Sequence, residues 1–443
     1  MVEPVGWIVA IDDRRDGQVI ADVGVDALGR DGHDRVSLFQ AQSGAVREEV
    51  GHRRPAWADG LVKVVQTPLP LDPERVRDGQ FGNRRPRTTF QEVAGLSDTL
   101  QAPTVQAHDH HGRAWRPAVN ERGIDHYTRC YPRTSKVSEV ITVLSGGVGA
   151  ARLLRALRLA TDPSLITAIV NVGDDFVLHG LTICPDLDTI GYTLAGLNNE
   201  VTGWGLADET WRVMEALEAL GGDAWFRLGD HDLATHLYRS QRLREGATKS
   251  EVTNELAKRW QLDIRLLPVT DDAVATFFET EIGRLSFQEY FVRHRHGIAV
   301  RAITFDGAAS ARPAPGVIEA LRSASRIVIA PSNPLISIDP ILEVPGLREV
   351  LHDRRDDVVA VSPIINGAAL KGPADRLLAE LGYEVSCVGV ADYYREVVGR
   401  LVIDEADAAL ADEVHARGVD VTVTTTIMAN AENSARLAQA VLS

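Results

Sequence analysis

From Val140 onward, apolar runs rich in β-branched residues alternate with stretches whose apolar positions recur at helical spacing. Val140–Ser145, Leu165–Val172, Ile264–Pro268, Ile298–Phe305, Arg326–Ala330, Val358–Ser362 and Val419–Thr425 read as strands. Trp211, Met214, Leu217 and Leu220 recur as the stripe of a core-facing helix. Thr248 followed by Glu251 is a capping-box signature, and Asn430 can cap the last helix. Strands alternating with helices predict an α/β fold: a mostly parallel sheet covered by helices on both faces. Ala275–Ser286 reads as a small β insertion.

Residues 1–136 carry no such pattern. Arg, Asp, Gly, Pro and His are scattered there, and Gly51–Pro55 and Gly82–Arg87 interrupt any periodicity. His108, His110 and His111 cluster without a cysteine and in no familiar ligand spacing, so a solvated, biased segment is the reading preferred over a metal tract. The domain boundary is therefore set at 136/137, a poorly structured or mis-annotated extension before a single domain over 137–443. Only five of the 47 basic residues are Lys, which points to GC-rich coding DNA. Translation started too far upstream in such DNA yields text of this kind.

Composition narrows the class. The net charge of −15 argues against a general nucleic-acid binder but leaves room for a nucleotide site built from local donors. No apolar run reaches the roughly 18 residues of a membrane span, and the N-terminus lacks a signal pattern. Cys130, Cys184 and Cys387 lie too far apart to suggest a disulfide framework or a zinc site, so a reduced, cytoplasmic setting is expected.

The candidate chemistry sits where strands end. Ser145-Gly146-Gly147-Val148-Gly149 joins the first strand to a helix, and small residues there let backbone N–H groups approach a phosphate. It is neither a Walker A loop nor a clean GxGxxG, so hydride transfer to a nicotinamide is disfavoured. Asn171, at the end of the second strand, can bond a ligand, while Asp174 or Asp175 can cap a helix. In Cys184-Pro185-Asp186-Leu187-Asp188-Thr189, proline suits a first helical turn and the dipole favours acids. Two carboxylates there can instead hold Mg²⁺ through oxygen or accept a proton from a hydroxyl nucleophile. Around Arg227-Leu228-Gly229-Asp230-His231-Asp232-Leu233-Ala234-Thr235-His236, the i,i+5 spacing of His231 and His236 speaks against zinc, and Arg227 can meet a phosphate or a polar ring edge. Pro331-Ser332-Asn333-Pro334 and Ser362-Pro363-Ile364-Ile365-Asn366-Gly367, the latter followed by Lys371-Gly372-Pro373, end later strands in phosphate- or purine-binding chemistry; each is also an ordinary turn.

Taken in order, SGGVGAARLL, NVGDD, CPDLDT, RLGDHDLATH, LPVTDD, APSNPLISIDPIL, SPIINGAALKGPA and GVADYY resemble the 2-phospho-L-lactate transferase family of deazaflavin coenzyme biosynthesis. The likeness runs from about Val137 to the C-terminus and covers nothing before it; Ala150 stands where the family's turn often carries another glycine. It implies a Rossmann-like domain with an added, smaller helical/β insertion, and a homodimer. It implies transfer of a phospholactyl or phosphoenolpyruvyl group from a guanosine-diphosphate-linked donor to a hydroxyl of the deazaflavin Fo, with GMP leaving and Mg²⁺ assisting, in coenzyme F(420) biosynthesis. On that view Ser145, Gly146, Gly147, Gly149, Ser332, Asn333, Asn366 and Gly367 hold the nucleotide, with Asn171, His231 and Thr235 as further substrate contacts. Asp188 and Arg227 match deazaflavin-contact positions, and Asp186 and Asp188 are the candidate catalytic and metal-binding carboxylates. The alternative is a non-catalytic nucleotide-sugar-binding regulator on the same sheet, which needs no deazaflavin contacts.

The boundary is testable. Met214 is the first methionine after Met1, so a start near Val137 must use another codon. N-terminal sequencing of the native protein is expected to begin near Val137; peptides from residues 20–100 in cell extract would contradict this.

Overall fold

The structure, a computed structural model, describes residues 139–443. The expected 1–136 extension, with its histidine cluster, lies outside the described residues.

Seven strands form one sheet: β1 (Ile141–Ser145), β2 (Ile166–Val170), β3 (Arg265–Pro268), β4 (Arg326–Ile329), β5 (Val358–Val361), β6 (Arg400–Asp404) and β7 (Asp420–Thr424). Their order is β3-β2-β1-β4-β5-β6-β7 and every pairing is parallel. β1, β2 and β5 are buried at every position, which is why their sequences are continuous apolar runs and do not alternate. The order turns back at β1, the place where open α/β sheets bind ligands beyond the strands' carboxyl ends. Register levels those ends, because Ser145 lies opposite Val170 and Leu144 opposite Ile329. The loops after β1, β2 and β4 therefore emerge side by side.

Helix α1 (Gly147–Ala160) follows β1 and buries Ala150, Ala151, Leu153, Leu154 and Leu157. Helix α2 (Pro185–Ala195) and the C-terminal helix, Ala431–Leu442, pack against α1. Helices α3 (Arg212–Ala219), α4 (Asp230–Arg244) and α5 (Lys249–Arg259) form the helical insertion between β2 and β3. The Thr248–Glu251 capping box and the Asn430 cap both form.

Three details depart from the sequence reading. The strand expected at Ile298–Phe305 runs over Val300–Asp306 and leaves the parallel sheet; it pairs antiparallel with Ala275–Thr280, which also pairs with Gly283–Ser286. Residue pattern signals a strand but not its partner. β6 is absent from the sequence reading because its apolar run is only Leu401-Val402-Ile403, set between Arg400 and Asp404. In α3, Met214 packs with Ile183, Leu228 and Leu233, whereas Leu220 lies at the frayed end, 86% exposed.

A close approach fixes the head of α1. A Cβ on Gly149 would lie 2.3 Å from the Pro331 carbonyl oxygen, so helix and loop backbones meet with no room for a side chain. Ala150, beside it, is fully buried. Gly149→Ala is expected to cost about 1–3 kcal/mol through overpacking, read from urea unfolding; an unchanged midpoint would contradict the close approach.

Candidate functional site

The glycine turn is held by its own neighbours. Ser145 is fully buried, its hydroxyl donating to the Val143 carbonyl at 3.2 Å. The Ser332 hydroxyl donates to the Gly146 carbonyl at 2.7 Å and accepts from the Gly146 N–H at 3.3 Å. This clamp ties the loop after β1 to the loop after β4. Gly147 adopts φ +69°, a left-handed conformation that favours glycine. Its N–H bonds the Asp186 carboxylate. Two donors expected to face a phosphate are thus engaged within the protein.

Beside the turn lies a carboxylate group. Asn171 Nδ2 bridges Asp186 Oδ2 at 2.9 Å and Asp174 Oδ1 at 3.5 Å, while Asn171 Oδ1 accepts from the Gly173 N–H. Burial raises the Asp186 carboxyl to about 6, against hydrogen bonds from Asn171 and Gly147. Burial also pushes Asp174 well above the carboxylate range, reinforced by the charges of Asp186 and Asp175. Neither Asp174 nor Asp186 has an ion pair among the described residues. Asp175 does, with Lys249 at 2.6 Å.

Asp188 faces another way, since residues two apart on a helix do not share a face. Arg239, from α4, grips both its oxygens, with Nη1 3.0 Å from Oδ2. Burial works against the guanidinium, yet the Asp188 charge holds it above its ordinary range; burial likewise raises the Asp188 carboxyl, against the charges of Arg239 and His236. Arg239 Nη1 also lies 3.2 Å from His236 Nδ1. His236 Nε2 sits 3.3 Å from Asp232 Oδ1, off the line of a hydrogen bond, and is otherwise without a partner. Tyr192 donates to Asp232 Oδ1 at 2.6 Å. Burial raises the Asp232 carboxyl, but the His236 and Tyr192 contacts outweigh it and hold it low.

Asp188, Asp232 and His236 each bring one ligand atom within 4.8 Å of the others, a candidate metal cluster. The unpartnered His236 nitrogen favours an ion there, and an imidazole suits transition metals. Mg²⁺ prefers oxygen, and Arg239 already engages both Asp188 oxygens. Asp174 and Asp186 offer carboxylate oxygens without an ion pair among the described residues.

Residues 141–438 match the family described as 2-phospho-L-lactate transferase CofD. The chain belongs to that family. It is 44% identical over 308 residues to a phosphoenolpyruvate transferase of Streptomyces griseus, covering 68% of this chain and 97% of the relative. With namesakes from Thermobifida fusca and Mycolicibacterium smegmatis the identities are 46% and 41%, covering 68% of this chain in both cases and 96% and 97% of the relatives. A solved structure of a UPF0052 family member from Bacillus halodurans aligns at TM-score 0.46 and 17% identity, covering 68% of this chain and 99% of that one. The protein is thus an enzyme, a transferase of the phosphoenolpyruvyl or phospholactyl type in coenzyme F(420) biosynthesis.

Of the residues singled out from sequence, Ser145, Gly146, Gly147, Gly149, Asn171, Asp186 and Ser332 come together at the switch point. Asn333 caps the turn at Pro334–Ile338 with its side chain. Asn366 and Gly367 form the exposed two-residue turn of a hairpin, both at positive φ, and the Asn366 N–H is held by Asp407 at 3.0 Å. Arg227 is exposed and stacks over Trp211 at 5.4 Å, without touching Asp188. The His231 side chain is exposed, while its N–H and that of Asp232 bond Glu209 at 2.8 Å each, which caps α4 from outside. Thr235 bonds Tyr192. Sequence reading weighed His231 with His236 and missed the i,i+4 pair Asp232–His236, and Arg239 after it. Polar residues at the core-facing positions of α4 were the available signal.

A buried ion pair should behave asymmetrically. Arg239→Met is expected to cost about 3–5 kcal/mol in urea unfolding by stranding Asp188, and adding Asp188→Asn should recover part of the loss. A double variant no more stable than Arg239→Met would contradict the pairing.

Proposed function

We propose that this transferase passes the phosphoenolpyruvyl or phospholactyl group of a guanosine-diphosphate-linked donor to a ribityl hydroxyl of Fo. The hydroxyl oxygen forms a bond to the donor phosphorus, the phosphorus–oxygen bond to GMP breaks, and the hydroxyl loses its proton. Such transfer depends mostly on positioning and charge neutralisation.

The observation that carries the reading is the double role of Asp232. It lines a shallow cleft with Trp204, Trp211 and Glu209, and it belongs to the cluster of Asp188. Trp204 and Trp211 meet edge to face at 6.4 Å, and Arg227 stacks on the latter. The cleft itself, about 20 Å³, is too small to enclose a flat tricyclic ring; the ring would lie over the indole faces at its rim, with its hydroxyl-bearing arm directed to the acids. Asp188, oriented by Arg239, accepts the hydroxyl's hydrogen bond. Asp174 and Asp186 would hold Mg²⁺, which neutralises the donor's phosphates. The glycine turn and the Ser332–Asn333 loop border the donor side.

The finer setting belongs to the same reading: a homodimer in the cytoplasm, with its catalytic domain over 137–443. Buried free thiols at Cys184 and Cys387 support a reduced compartment. Among the described residues no helix is long and apolar enough to cross a membrane.

Fo fluorescence titration and steady-state turnover test the assignment together. Asp186→Asn is expected to bind Fo as the wild type does while turnover falls by about 10²-fold or more. Near-normal turnover in that variant, or a wild type that does not bind Fo, would overturn it.

A further inference from the structure

A second cavity lies beside the site just described. Its volume is about 270 Å³, and it is walled by Val148, Arg152 and Arg155 of α1, by the chain at Glu200 and Gly203, and by Asn430 before the C-terminal helix. Arg155 pairs with Glu200 at 3.1 Å. Arg152, half-buried, makes no hydrogen bond or ion pair among the described residues. Lys371 is exposed and likewise has no hydrogen bond or ion pair among the described residues. Its ammonium reaches the same rim, 3.1 Å from where a Gly203 Cβ would stand; Val148 Cγ1 is 3.9 Å from that point. The cavity thus presents two uncommitted cations in a chain of net charge −15.

The two cations differ in kind. A guanidinium fork matches a carboxylate with two parallel bonds, whereas an ammonium acts as a point charge suited to phosphate. The volume is below the roughly 300–1,000 Å³ that drug-sized ligands fill, so a whole nucleotide is too large for it. Arg152 stands five residues beyond Gly147, about 7.5 Å along the helix axis, and the cavity therefore flanks the glycine turn. We propose that this cavity takes a small phosphorylated carboxylic acid, with Arg152 on the carboxylate and Lys371 on the phosphate. Resting on the function proposed above, that ligand is the acidic head of the donor, and Arg152 is the residue that recognises it.

Calorimetric titration with phosphoenolpyruvate, and separately with inorganic phosphate, tests the site on the full chain. Wild type is expected to bind phosphoenolpyruvate. Arg152→Gln should weaken that binding at least tenfold and leave phosphate binding within twofold; Lys371→Gln should weaken both. Fo titration should be unchanged in both variants. Equal phosphoenolpyruvate binding by wild type and Arg152→Gln, no binding by wild type, or loss of Fo binding in the Arg152 variant would each overturn the assignment. The two readings fail separately: a wild type blind to Fo removes the proposed acceptor, whereas the cavity is judged on phosphoenolpyruvate alone.

Discussion

The structure gathers more negative charge than it neutralises at one end of a buried sheet. Asp174, Asp175, Asp186, Asp188 and Asp232 crowd the ends of β1 and β2 and the helices that follow, and the cations paired to them are Lys249 on Asp175 and Arg239 on Asp188. Isolated carboxylates are expensive to bury unless paired, hydrogen-bonded or protonated. Here each route is used: Asp188 and Asp175 take a cation, Asp232 takes Tyr192 and sits against His236, and Asp174 and Asp186 are pushed toward protonation. That last pair is the remaining demand for positive charge, and under the proposed reaction a divalent cation carried with the donor's phosphates would meet it. The frame must be stiff to hold such a cluster, which explains why the loops after β1 and β4 are locked by Ser332 and by the contact at Gly149.

Much of this frame is legible in the residues. The strands of the parallel sheet are announced by continuous apolar runs, and six of the seven begin and end within two residues of the expected bounds, as with Arg326–Ile329. Only β6 goes unread. The motifs converge because each follows a strand whose carboxyl end faces the same edge, something that the α/β alternation already implies. Partners are another matter. Ser332, Asn333 and Asn366 look like ligand contacts in sequence, yet the Ser332 hydroxyl engages Gly146, the Asn333 side-chain oxygen accepts from Leu335, and the Asn366 backbone N–H bonds Asp407. A hydrogen-bonding side chain is the same letter whether it faces a substrate or a neighbouring turn.

In α4 a signal goes unread. Asp232, His236 and Arg239 recur on one helical face, where apolar residues are the norm, and the tertiary fold turns that face onto Asp188. Neither CPDLDT nor RLGDHDLATH contains the cluster; it exists only once α2 and α4 meet. The same meeting separates Asp186 from Asp188, neighbours in sequence that serve different partners. The site therefore has two sides. One, at Asp174 and Asp186, adjoins the glycine turn and is the side proposed for a cation with phosphates. The other, at Asp188 and Asp232, adjoins the tryptophan-lined cleft and is the side proposed for the acceptor hydroxyl.

Group transfer between those two sides is the central claim, and the product's mass addresses it most directly. Purified full-length protein, incubated with Mg²⁺, Fo and each guanosine-diphosphate-linked donor in turn, should convert Fo into a species heavier by one phosphoenolpyruvyl or phospholactyl group, with GMP released in equal amount. Fo recovered unchanged from both mixtures, in protein that is folded and binds Fo, would contradict the account.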